Sequence, residues 1–76
     1  MTDKLILVFA ETLGVDSSTL SDESTPDNTE KWDSVNAMDL VASIEEAFSI
    51  ELTTKEIMSM RSIGLARSVL AKKGVL

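Results

Sequence analysis

Seventy-six residues with thirteen acids, seven bases and a formal charge of −6 make one small domain over 1–76, with no room for a second. That charge balance disfavours nucleic acid and anionic membrane surfaces as partners. No histidine, cysteine or tyrosine is present, which removes the usual general bases, thiolate and imidazole metal ligands, proton shuttles and disulfides.

The apolar run LILVFA, residues 5–10, is shorter than the ~7–15 residue core of a signal peptide. It also falls far below the ~20 residues of a membrane span, and Asp3 and Glu11 flank it. A cytoplasmic location and no membrane insertion are expected. Leu5, Val8, Phe9 and Leu13 fall at helical spacing and Gly14 follows as a C-terminal cap, so a first helix is expected from about Asp3 to Leu13. Ile6 and Leu7 lie off that stripe, which leaves two readings open: packing under the following loop, or a weak self-association face.

Residues 14–33 are rich in Ser, Thr, Asp, Asn and Pro, the composition of a loop. Val15 and Leu20 are its only aliphatic anchors before Trp32. Loops beyond ~12–15 residues are uncommon unless functional or pinned. The stretch DESTPDNTEKWD has the length of a calcium loop, but Asp27 stands where glycine is required and Pro26 at a ligand position. No metal site is expected there.

A second helix should start at Asp33 or Ser34, both good N-caps. Met38, Val41, Ile44 and Phe48 then form an inward stripe, widened by Leu40, with Asn36, Asp39, Ala42, Glu45 and Glu46 on the other faces. Thr53 and Glu56 make a capping box ahead of a short helix carrying Ile57 and Met60 and ending near Arg61. Ser62 can cap a last helix with Ile63, Ala66, Val69 and Leu70 inward. Lys72 and Lys73 form a solvated end, and Gly74 closes it. No stretch alternates as a strand does. The expected fold is all-α: a bundle of three main helices plus one short helix, with a long first loop.

Ser34 is the residue that this reading must explain. It has no histidine to activate it, and Asp33 alone suffices as a cap. Between Trp32 and Thr54 there are five acids and no base. A merely solvated face would interleave lysines, since like charges one turn apart weaken a helix. The pattern favours a positively charged protein partner reached by electrostatic steering. The helix N-terminus suits a phosphate ester on Ser34.

These residues resemble a known family. DSV at 33–35 followed by AMDLVASIEEAFSIEL at 37–52 is similar to the acyl carrier proteins, strongest over 32–63 and looser at LGV (13–15) and the terminal helix. The resemblance implies an acyl-carrier-like bundle of four helices. Ser34 would be the attachment residue of a covalent 4′-phosphopantetheine, with Asp33 beside it, and the arm's terminal thiol would hold acyl groups as thioesters. Val35 would be the apolar contact that partner enzymes cover, and Asp39, Glu45 and Glu46 the acidic recognition residues. Met38, Val41, Ile44, Phe48, Ile57 and Ile63 would line an interior that a short acyl chain enters. Asn36 stands where the family often has an acid, and Lys31-Trp32 replaces its usual small-residue lead-in. Trp32 either plugs the end of the bundle against the loop or stacks on the pantetheine arm or a partner surface.

The chain would then be no enzyme and have no catalytic residue of its own. It would be a monomer, a substrate of a phosphopantetheinyl transferase and of loading and transfer enzymes with basic docking surfaces. Two alternatives stand beside the acyl carrier. One is an aminoacyl or peptidyl carrier charged by an adenylating enzyme. The other is an unmodified acidic helical adaptor in which Ser34 is only a cap.

Overall fold

A computed structural model describes residues 3–76. Four α-helices appear in the order α1 (Lys4–Leu13), α2 (Ser34–Phe48), α3 (Thr54–Ser59) and α4 (Ile63–Lys72), with one 3-10 turn at Ser17–Thr19. No strand occurs among the described residues, and none of their helices is long and apolar enough to cross a membrane. The all-α bundle expected from periodicity is the observed fold.

Each helix begins where a short polar side chain can accept the orphan N–H groups of the first turn. Asp3 accepts from Leu5 and Ile6 at 3.1 and 3.3 Å. Thr53 and Glu56 satisfy one another's backbone N–H groups at 3.1 and 2.9 Å, the expected capping box. Ser62 Oγ accepts from Leu65 at 3.0 Å. Gly14 ends α1 in the left-handed region at φ 70°, where its N–H and that of Val15 reach the Ala10 carbonyl.

The core joins one face of α1 (Leu5, Phe9, Leu13) to Leu40 and Ile44 of α2 and to Ile63, Ala66 and Leu70 of α4, with Trp32 sealing the side toward the loop. Ile6 packs against this core while Leu7 stays exposed. The inward stripe of α2 needs correction at Met38, which is 72% exposed. At 100° per residue the face centred on Leu40, Ile44 and Val41 continues N-terminally to Ala37, and Met38 falls outside it. Met58 is likewise exposed, so Met60 is the one methionine of residues 38, 58 and 60 packed against the core.

The long first loop is pinned, not loose. Its Asp22 and Ser24 carbonyls accept the N–H groups of Gly64 and Ile63 at 2.9 and 3.1 Å, filling orphan donors at the start of α4. The approach is so close that a Cβ on Gly64 would sit 3.0 Å from the Asp22 carbonyl oxygen. Arg67 of α4 then clamps two acids at once, Asp3 at 2.7 Å and Asp22 at 2.8 Å. A radius of gyration of 11.2 Å matches the roughly 11.4 Å of a packed chain this long, which leaves no room for a splayed loop. Twelve residues of it, 21–32, fold as three successive hydrogen-bonded turns, and no cluster of acids that could hold a metal occurs among the described residues.

Charge segregates by element. Residues 33–53 hold acids only, whereas Lys55, Arg61, Arg67, Lys72 and Lys73, five of the seven bases, follow α3's start with Glu56 as their one acid. Lys73 is not simply solvated as expected: its ammonium pairs with Glu56 at 3.0 Å and ties the end of α4 to α3. The Thr53 backbone N–H, and then Lys73, hold the Glu56 carboxyl below its usual range.

Candidate functional site

The start of α2 decides what Ser34 is free to do. Asp33, in extended backbone, is the N-cap, and its Oδ1 accepts the Asn36 N–H at 2.8 Å. Ser34 is therefore the first helical residue, exposed, and its hydroxyl takes no part in the cap. The sequence left Asp33 and Ser34 as rival caps; the geometry gives the role to Asp33.

Asn36 has a second partner that sequence reading missed. Its Nδ2 donates to the Lys31 carbonyl at 2.6 Å, so this side chain latches the segment before Ser34 onto the first turn of α2. With the Trp32 N–H donating to the Thr29 carbonyl at 2.9 Å, both polar groups of the Lys31–Trp32 peptide bond are tied. The indole is 5% exposed and meets the Phe9 ring at 63° with centroids 5.0 Å apart, an edge-on aromatic pair. It plugs the bundle against the loop.

Beyond Ser34, the solvent side of α2 presents Val35 and Met38, each 72% exposed, with the exposed acids Asp39 and Glu46 further along the helix. Glu45 does not belong to this free face. It is half-buried, and its Oε2 accepts the Leu52 N–H at 2.8 Å, bracing the α2–α3 linker just past Ser49. The seven-residue reach of that bond is invisible to a periodicity count, which saw only a carboxylate on a polar face.

Three spaces lie around this end of the molecule. An open depression of about 240 Å³ is bordered by Ser34, Asp33, Pro26, Trp32 and Ala37. A wider trough of about 420 Å³ shares Pro26, Trp32 and Ala37 and adds Met60 and Arg61. A third, smaller and partly open apolar space of about 50 Å³ lies among Val41, Ile44, Ile57, Leu40 and Phe9, bordered also by Trp32, Ala37 and Met60. Of the residues expected to line an acyl interior, Val41, Ile44 and Ile57 border that space. Ile63 is fully buried in the core away from it. Phe48 closes the far end of α2 with the Lys4 ammonium 4.8 Å above its ring. Met38 faces solvent.

A family model described as a phosphopantetheine attachment site matches residues 3–65. An acyl carrier protein of Syntrophobacter fumaroxidans is 31% identical over 72 residues, covering 95% of this chain and 89% of that protein.

Proposed function

Because this chain belongs to the acyl carrier protein family, whose members are carriers, not enzymes, and bear covalent 4′-phosphopantetheine, we propose that Ser34 is its point of attachment and that residues 1–76 act as one acyl-carrying domain. The observation that carries this reading is the division of labour at the head of α2. Asp33 makes the cap, which leaves the Ser34 hydroxyl exposed and unengaged beside an open depression.

The residues present fit the group. Ser34 Oγ is reachable by a transferase and can take the ester. The positive end of the α2 dipole lies beneath it and favours an anionic phosphodiester. When bound, the group supplies a terminal thiol that holds cargo as a thioester. This chain has no thiol or imidazole of its own to compete for that cargo.

Asp39 and Glu46, with Val35 and Met38 ahead of them on α2, form the docking face for basic surfaces of a phosphopantetheinyl transferase and of loading and transfer enzymes. Steering by such a face raises encounter rates and weakens with salt. Val41, Ile44 and Ile57 offer the cargo an apolar interior.

Intact mass after incubation with coenzyme A and a phosphopantetheinyl transferase tests the assignment. One phosphopantetheine is expected to add to the chain and none to Ser34→Ala. A mass unchanged with several transferases would leave Ser34 a bystander and favour the acidic adaptor.

A further inference from the structure

We infer that the groove between α3 and α4 takes α2 of a second copy of this chain, and that copies joined in this way hide the face a transferase needs. The second half rests on the assignment of Ser34 above; the first does not.

The groove offers about 260 Å³ of space. Its apolar floor is Leu65, 49% exposed, and the half-buried Val69, both on α4. Ser59 and Ser68 also border it, but each hydroxyl donates to a carbonyl of its own helix, that of Lys55 at 2.9 Å and of Gly64 at 3.2 Å. Its one acid, Glu56, is held by Lys73 and the Thr53 N–H. What remains for an incoming surface is an apolar strip and two cations. Those are Lys55 and Lys72, both exposed and without an ion pair among the described residues.

The chain carries the matching surface itself. On α2, Val35 and Met38 are each 72% exposed, and the exposed acids Asp39 and Glu46 follow. Seven residues bring a helix nearly back to the same side, so these two acids stand together about 10 Å apart along the axis. Apolar side chains then meet apolar ones, and carboxylates meet ammonium groups. The two surfaces lie on different elements, so the contact is head-to-tail, and each joined pair keeps one free groove and one free α2.

Range decides whether molecules of formal charge −6 can do this. The bundle measures 29 × 27 × 19 Å, so the centres of touching copies lie about three Debye lengths apart at ~0.15 M salt, where that length is about 8 Å. Their net repulsion then falls to about a twentieth of its unscreened value, whereas an ammonium and a carboxylate in contact lie within about half a Debye length. At ~0.01 M salt the length is about 30 Å and repulsion spans the whole pair; at ~1 M it is about 3 Å and the contact pairs fade as well. Association should therefore peak near physiological salt. Binding to a cationic enzyme, by contrast, only weakens as salt rises. Exposed ion pairs contribute little each, so the contact is weak and belongs to millimolar concentrations.

Sedimentation of the full chain from micromolar to millimolar concentration tests the contact. The weight-average mass should exceed the monomer's at ~0.15 M salt and return toward it at ~0.01 M and ~1 M. Lys55→Glu with Lys72→Glu should stay monomeric, and so should Asp39→Lys with Glu46→Lys. An equimolar mixture of these two variants should associate again. The mixed pair carries the same total charge as two wild-type chains, so recovery reports matched surfaces and not altered repulsion. Helical CD shows that each variant is folded.

A decoy links the contact to modification. Ser34→Ala combined with Asp39→Lys and Glu46→Lys keeps the groove, yet it neither accepts phosphopantetheine nor presents the acids that draw the transferase. At millimolar concentration and ~0.15 M salt it should slow modification of the wild-type chain several-fold. The same decoy with Lys55→Glu and Lys72→Glu added should not.

A chain monomeric at every salt, an association that only falls as salt rises, or a mixture that fails to associate would overturn the contact. Association abolished by Leu7→Glu but kept by the lysine variant would move it to α1 and overturn it too. Association with an unmoved transferase rate would overturn the hidden face. A chain that gains no mass takes the Ser34 assignment and the hidden face with it, while sedimentation still judges the contact.

Discussion

The Asn36 side-chain amide donates to the Lys31 carbonyl at 2.6 Å, reaching back across the cap that its own backbone N–H completes with Asp33. One residue thus fixes both the entrance of α2 and the strand of loop that carries Trp32. Asn36→Asp removes the donor and sets a carboxylate against a carbonyl. It should cost about 1 kcal/mol in urea unfolding followed by Trp32 emission, and it should slow modification of Ser34 by loosening its approach.

Asp33 and Ser34 should separate cleanly. Loss of a carboxylate N-cap costs about 1 kcal/mol, whereas an exposed residue outside the cap costs within about 0.5 kcal/mol. Asp33→Ala is therefore expected to lower the unfolding midpoint and still permit some modification. Ser34→Ala should leave the midpoint nearly unchanged and abolish modification. The same two denaturation curves and mass spectra decide both.

The acids of α2 are expected to divide into two kinds. Asp39→Lys with Glu46→Lys should slow the transferase reaction, chiefly through its association rate, with the helical CD signal intact. Glu45→Ala should act on stability instead, since it strands the Leu52 N–H, a loss of about 1 kcal/mol for a half-buried group. A rate defect in Glu45→Ala as large as in the double variant would restore Glu45 to the docking face.

Acid should weaken the clamp that pins the loop. Hydrogen bonding from Arg67 holds the Asp3 carboxyl below its ordinary 3.8. A carboxyl whose folded pKa is depressed contributes stability above its unfolded pKa and loses it as pH falls through the folded value. Its stabilisation is thus present at neutral pH and fades below about pH 4. Arg67→Met should cost about 1 kcal/mol at pH 7, the figure being small because these side chains are a third or more exposed. It should also flatten the acid limb of the stability profile between pH 5 and 3. An unchanged acid limb would show that the clamp carries no linked protons.

The parts of this fold that sequence made legible are those that depend on near neighbours. Thr53 with Glu56, Ser62 before Ile63 and Gly14 after Leu13 are local devices, and each stands where spacing put it. Ser34 itself stood out through the acids around it and a family signature. Met38 was misplaced because spacings of three step around a 3.6-residue helix, and the stripe drifts off the buried face. Glu45, Asn36 and Arg67 could not be read at all. Their partners are backbone groups five and seven residues away or carboxylates 45 and 64 residues away, and such pairings exist only once the chain has turned back on itself.

Segregating acids on α2 and bases on α3 and α4 gives the molecule more than an excess of negative charge. It behaves as a small electric dipole, which feels a torque in the field of a cationic enzyme as well as a pull. Against the cationic partners proposed above, the carrier would be turned before it touches, and encounters would begin with α2 leading. At ionic strengths where the Debye length falls below about 8 Å, that aim is lost along with the attraction.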